Sequence, residues 1–114
     1  MKLYLALAAI SGFLAVAIGA FGAHGIQDQR AKELIDIGVK YQMFHTLAVL
    51  LVAWLAQREG VWASPLWLAG IALFSGSLYA MAFGAPRMLG MVTPIGGVFF
   101  LAGWAALLIG VLRR

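Results

Sequence analysis

The chain has 114 residues, is 64% hydrophobic and carries a mean hydropathy of +0.98, far above the roughly 45–50% apolar content of soluble domains. It has no cysteine, so disulfides, thiolate nucleophiles and cysteine metal sites are excluded. The net charge of +4 does not mark a nucleic-acid binder, because every basic residue flanks an apolar stretch or sits in a connecting segment.

A membrane-crossing helix needs about 20 mostly apolar residues. Residues 3–27, 41–57, 60–86 and 88–112 contain no Lys, Arg, Asp or Glu. The expected fold is therefore all-α: a single membrane domain over 1–114, built as a four-span transmembrane helix bundle. Its spans are about 3–23, 41–57, 65–83 and 91–112, with an amphipathic segment between spans one and two.

Span one could be mistaken for a secretion signal, since Lys2 precedes it and Ala23-His24-Gly25 is rich in small residues. Its apolar run of 21 residues is longer than a signal core, so it reads as a span. Ser11, Ala15, Gly19 and Ala23 follow i, i+4 spacing and form a stripe where another helix can approach closely. Gly12 and Gly22 belong to the same class of packing positions.

Segment 26–40 holds Asp28, Arg30, Lys32, Glu33, Asp36 and Lys40 among Leu34, Ile35, Ile37 and Val39. Such a mixture predicts an amphipathic helix on the membrane interface, or an extension of span two. Gln57-Arg58-Glu59-Gly60 predicts a short polar turn after span two. Ser64-Pro65 opens span three, because proline is tolerated in a first helical turn. Gly84-Ala85-Pro86-Arg87 closes it, and Arg113-Arg114 ends span four. Gly76, Gly96 and Gly97 are expected where helix backbones approach or bend.

Four spans place segments 26–40 and 84–90 on one side and both termini on the other. This gathers His24, Tyr41, Gln42, His45, Ser77, Tyr79 and Thr93 toward one half of the bilayer. Trp54, Trp62, Trp67 and Tyr4 fall toward the opposite face, as an aromatic belt would. Polar side chains in spans often only bond another helix, and tyrosines often anchor at the interface. Ionisable residues at membrane depth more often face an interior or a wet cavity. Tyr41 and His45 share one face of span two, with Gln42 and Thr46 on the adjacent stripe. His45 is expected to hydrogen-bond Tyr79, Ser77, Thr93 or His24, directly or through water.

Gly19-Ala20-Phe21-Gly22-Ala23-His24-Gly25, Tyr41-Gln42-Met43-Phe44-His45, Phe74-Ser75-Gly76-Ser77-Leu78-Tyr79, Thr93-Pro94-Ile95-Gly96-Gly97 and Gly103-Trp104 together resemble the signature of the YgdD/YwdK-like small membrane proteins, domain-of-unknown-function family 423. The resemblance runs over essentially the whole chain. It implies a four-span protein of the bacterial cytoplasmic (inner) membrane and implies no activity.

The residues leave several functions open. The polar cluster suits a pocket for a lipid-, isoprenoid- or quinone-like molecule. Haem would need His24 and His45 together. A small transporter or channel subunit is the alternative: the basic residues are nearly balanced across the two faces, which barely sets orientation, but no carboxylate lies inside a span to couple protons. An accessory role in assembling other membrane proteins, or self-association, would use the small-residue faces. No nucleophile–base–orienter set marks an enzyme, and two histidines without a carboxylate make a poor metal site. The expectation is thus no catalytic residue, no metal, no cofactor and no nucleic acid, with membrane lipids as partners. The termini lean toward the cytoplasm.

Overall fold

The computed structural model describes residues 2–114. Four helices long and apolar enough to cross a membrane make up the fold. They are α1 (Lys2–Gly25), α2 (Gln29–Leu55), α3 (Ala63–Ala82) and α4 (Val92–Arg113). A 3-10 turn, Arg87–Met91, leads into α4.

The charged segment after span one forms the first turns of α2. Asp28 starts that helix from an extended backbone, and its carboxylate accepts the Ala31 N–H at 2.9 Å. From there a single stripe stays buried: Ala31, Ile35, Gly38, Gln42, His45, Val49 and Val52. Glu33, Asp36 and Lys40 point outward from the same turns. One face of α2 is therefore continuous through the boundary that the charges suggested. At 27 residues the helix is ~40 Å long, longer than the ~30 Å hydrocarbon layer.

The bundle is flattened, with extents of 49 × 26 × 18 Å. α2 and α3 form its middle, α1 lies mainly on α2, and α4 lies mainly on α3. The outer helices leave most of their apolar surface for lipid. Ala8, Val49, Val52, Ala63, Trp67 and Phe100 belong to the apolar core between them. The two termini lie on one face: the Arg114 guanidinium donates to Glu59 in the α2–α3 turn at 3.0 Å, and Tyr4 packs against the cluster containing Ala63. Gly84, at φ +106, turns the chain after α3, a conformation that side chains rarely adopt.

Two expectations change here. Trp54 and Trp62 are exposed as an interfacial belt requires, but Trp67 is fully buried and is a core residue. Tyr4 likewise packs inward. The second change concerns glycine. Gly22 and Gly96 lie at tight approaches, where an added Cβ would press on Ile35 and on the Phe74 backbone. Gly12 and Gly19 have ordinary room, Gly97 would just reach Phe74, and Gly76 has nothing within 4 Å. The expectation of close packing thus fails for Gly76 and Gly97. Tight seats not expected from sequence include Gly38 under the Tyr79 ring and Gly103 under the Trp67 indole.

Midway along α3, residues Ile71–Ser75 are π-helical. Such a widened turn shifts the side-chain register and recurs at functional sites. Here its last two residues serve different neighbours. The Phe74 backbone abuts Gly96 of α4, while Ser75 donates to the Gly38 carbonyl of α2 at 2.6 Å.

Candidate functional site

The polar residues in the spans separate into two groups on adjacent flanks of the buried face of α2, with a third contact nearer the loop-one face. The first group locks α1, α2 and α3. Gln42 Nε2 donates to the Ser11 carbonyl at 2.8 Å and to Ser11 Oγ at 3.1 Å. Ser11 and Thr46 share a hydroxyl–hydroxyl bond of 2.7 Å. The Tyr79 hydroxyl donates to Gln42 Oε1 at 2.6 Å. A stripe this polar turns inward because hydrocarbon offers no partners, and here protein groups supply them. Ser77 donates to the Phe74 carbonyl at 2.9 Å and pairs with Thr93, which ties α3 to the start of α4.

The second group surrounds His45. Its Nε2 lies 3.0 Å from the Trp104 indole nitrogen, and its Nδ1 lies 2.7 Å from the Tyr41 carbonyl. An indole N–H only donates and a carbonyl only accepts, so Nε2 is the acceptor and Nδ1 carries the proton. The imidazole is neutral, with both nitrogens engaged. Its ring stacks on Phe100, with centroids 3.8 Å apart and planes at 11°. Trp67 and Trp104 approach it nearly edge-on.

A cleft of about 280 Å³ opens beside this assembly, lined by Tyr41, His45, Phe74, Gly97, Phe100, Leu101 and Trp104. Tyr41 packs edge-on against Phe74 with centroids 5.0 Å apart, and its hydroxyl bonds no other described residue. Trp67 contributes the one buried side-chain polar atom without a hydrogen-bond partner among the described residues, its indole N–H over Gly103.

Of the residues expected to form one site, Tyr41 and His45 line this cleft, and Gln42 and Tyr79 belong to the lock on the adjacent flank. Ser77 and Thr93 pair with each other. His24 is exposed at the end of α1. Gly22 of α1 faces Ile35 and Gly12 faces Thr46, so His45 is level with about Gly12 and ~18 Å of helix separates the two histidines along the bundle. They do not converge on a haem, and the Nε2 lone pair that a metal would need already receives the Trp104 proton. The expected partners of His45 are also corrected: it bonds Trp104 and the Tyr41 carbonyl, not Tyr79, Ser77, Thr93 or His24. The error arose from the helix boundary. With α2 beginning at Gln29, His45 is near the middle of its helix and level with Trp104, twelve residues into α4. Phe100 and Trp104, spaced i, i+4 on α4, are the cleft-lining residues that sequence reasoning missed. The signal was present in that spacing beside Gly103.

A family model described as a protein of unknown function (DUF423) matches residues 18–97. The chain is 52% identical to a UPF0382 membrane protein of Haemophilus influenzae, a match covering 94% of this chain and 91% of the relative. It is 48% identical to the UPF0382 inner membrane protein YgdD of Escherichia coli, over 98% of this chain and 91% of the relative. A UPF0382 membrane protein of Staphylococcus epidermidis is 41% identical, over 99% and 98% of the two chains. No solved structure matches.

Proposed function

The chain belongs to the DUF423 family, and on that footing we propose that this multi-pass membrane protein binds the ring or prenyl segment of a lipophilic membrane constituent in the His45 cleft. The observation that carries this reading is the cleft itself: aromatic walls, an opening toward lipid between α2 and α4, and a volume of about 280 Å³. Binding pockets for small molecules are usually ~300–1,000 Å³ with apolar walls and few polar groups. The cleft lies just below that range, so it suits one ring or a short branched chain and not a whole phospholipid. The Tyr41 hydroxyl supplies a polar contact for a carbonyl or hydroxyl on that group. His45 acts by orientation: its two hydrogen bonds hold the imidazole flat against Phe100 and form one wall.

Gly97→Leu gives the test. Gly97 lines the cleft, yet a Cβ there comes no closer than 4.0 Å to Phe74, so the fold accommodates the change. Purified protein in nanodiscs would be titrated with decylubiquinone and with farnesol, following Trp104 fluorescence. Saturable quenching or shift by one of these probes is expected in the wild type and lost in Gly97→Leu at unchanged thermal stability. Equal responses from both proteins, or no saturable response to either probe, would remove the cleft as a ligand site.

A further inference from the structure

The face that carries the termini holds a second recess, separate from the His45 cleft. The α2–α3 turn is seated on the end of α4 at Gly110, where an added Cβ would collide with the Glu59 carbonyl. A hollow opens beside this contact. One opening, of about 410 Å³, is lined by Arg58, Glu59, Gly110, Arg113 and Arg114. It continues into a groove of similar size between α3 and α4, walled by Trp62, Leu66, Ala106 and Ile109 and rimmed by Arg58 and Arg113. The recess is thus cationic at the membrane edge and apolar toward the bilayer.

The charges are arranged for an anion. Glu59 supplies the only side-chain carboxylate among the lining residues, and it pairs with Arg114 at 3.0 Å. Its own backbone N–H and the Arg114 guanidinium lower the Glu59 carboxyl from its ordinary value, so the pair persists to lower pH than a free carboxylate would allow. Arg58 and Arg113 are exposed on the rim and make no salt bridge to another described residue. On the opposite face the basic residues are interspersed with Asp28, Glu33 and Asp36. Two cations outside any salt bridge above an apolar groove match a lipid phosphate joined to its acyl chains, and Trp62 stands at the depth where interfacial aromatics gather.

We propose that this recess is a binding site for an anionic phospholipid, with the phosphate between Arg58 and Arg113 and an acyl chain along the α3–α4 groove. A zwitterionic lipid fits less well, because its ammonium group would face the same arginines. Arg58 and Arg113 supply the attraction, Trp62 packs beside the glycerol region, and the Glu59–Arg114 pair holds the turn in place.

The test uses the whole protein in nanodiscs of phosphatidylcholine doped with either brominated phosphatidylglycerol or brominated phosphatidylcholine. Bromine quenches nearby tryptophan, and Trp62→Phe isolates the Trp62 share from that of Trp54. At equal mole fraction the anionic lipid is expected to be enriched at Trp62 by roughly tenfold or more, from about two basic side chains at the surface. Arg58→Gln/Arg113→Gln should abolish the preference, with thermal stability unchanged because both side chains are exposed. Gly97→Leu should leave it intact, which separates this site from the His45 cleft. Equal quenching by the two brominated lipids would overturn the proposal, as would a preference that survives loss of both arginines.

Discussion

Toward α1 and the end of α3, α2 presents Gln42 and Thr46, whose side chains are met by Ser11 and Tyr79. Toward α4 it presents Tyr41 and His45 to a set of rings around an open cleft. The two sides hold helices together by different means. The first is a closed hydrogen-bond network, which leaves no polar group to offer a ligand. The second relies on flat aromatic contacts over glycines, and rings stacked at an angle leave gaps. A polar cluster inside a membrane protein is thus not in itself a sign of a binding site. On this molecule a recess of about 430 Å³ also opens beside Ser11 and Gln42, but the polar atoms there are already paired in the lock, whereas the His45 cleft has the unbonded Tyr41 hydroxyl at its wall.

The largest expected effect lies on the aromatic side. Gly96→Ala puts a Cβ within 2.7 Å of the Phe74 Cα, and neither helix backbone can yield locally. α3 and α4 must separate, which costs on the order of 1–3 kcal/mol or more by overpacking. A clear drop in melting temperature in detergent is expected. An unchanged value would mean that α3 and α4 are not in this contact.

Next comes the lock. Gln42→Leu keeps the volume but removes the acceptor of the Tyr79 hydroxyl and the donor to Ser11. A buried group left without a partner costs about 1–3 kcal/mol. Membrane double-mutant cycles average only about 0.6 kcal/mol per bond, so the lower part of the range is expected. A cycle of Gln42→Leu with Tyr79→Phe should show strong coupling. Strict additivity would indicate that the two side chains do not meet.

Trp104→Phe should cost less. It removes one hydrogen bond, at a half-exposed residue, worth roughly 0.5–1.5 kcal/mol. The sharper readout is the His45 ring. In the wild type its nitrogen chemical shifts should report the tautomer protonated at Nδ1. Loss of the indole donor should change the Nε2 shift most. A wild-type ring protonated at Nε2 would contradict the hydrogen bonds described above.

How much of this was legible beforehand depends on the scale of the feature. Four spans follow from charge-free runs, since charge burial in hydrocarbon is costly whatever the packing. The inward turn of Gln42 and Thr46 was legible for the same reason. The partner of His45 was not, because it depends on the depth at which α2 begins. Lys32, Asp36 and Lys40 suggested a late start, yet they sit on the outer face of a helix that had already begun at Asp28. The position of Trp67 near the turn points to the belt. Its burial depends on Gly103 across the interface, a contact between helices that local pattern does not encode.

Glycines give the finest form of the comparison, because identical residues have opposite surroundings. Gly76 follows the π-helical stretch of α3 and has no atom of a neighbouring element within 4 Å of an added Cβ. Gly96 faces that same stretch from α4 and has no room at all. In a helix interior, alanine is preferred to glycine by roughly 0.5–1 kcal/mol, because glycine loses more backbone freedom on folding. Gly76→Ala should therefore leave the fold intact and raise the melting temperature slightly, the smallest shift of the series and of opposite sign to Gly96→Ala. Should Gly76→Ala destabilise the protein as much as Gly96→Ala, another helix must pack against Gly76, and the flattened arrangement with α1 and α4 on opposite flanks would have to be redrawn.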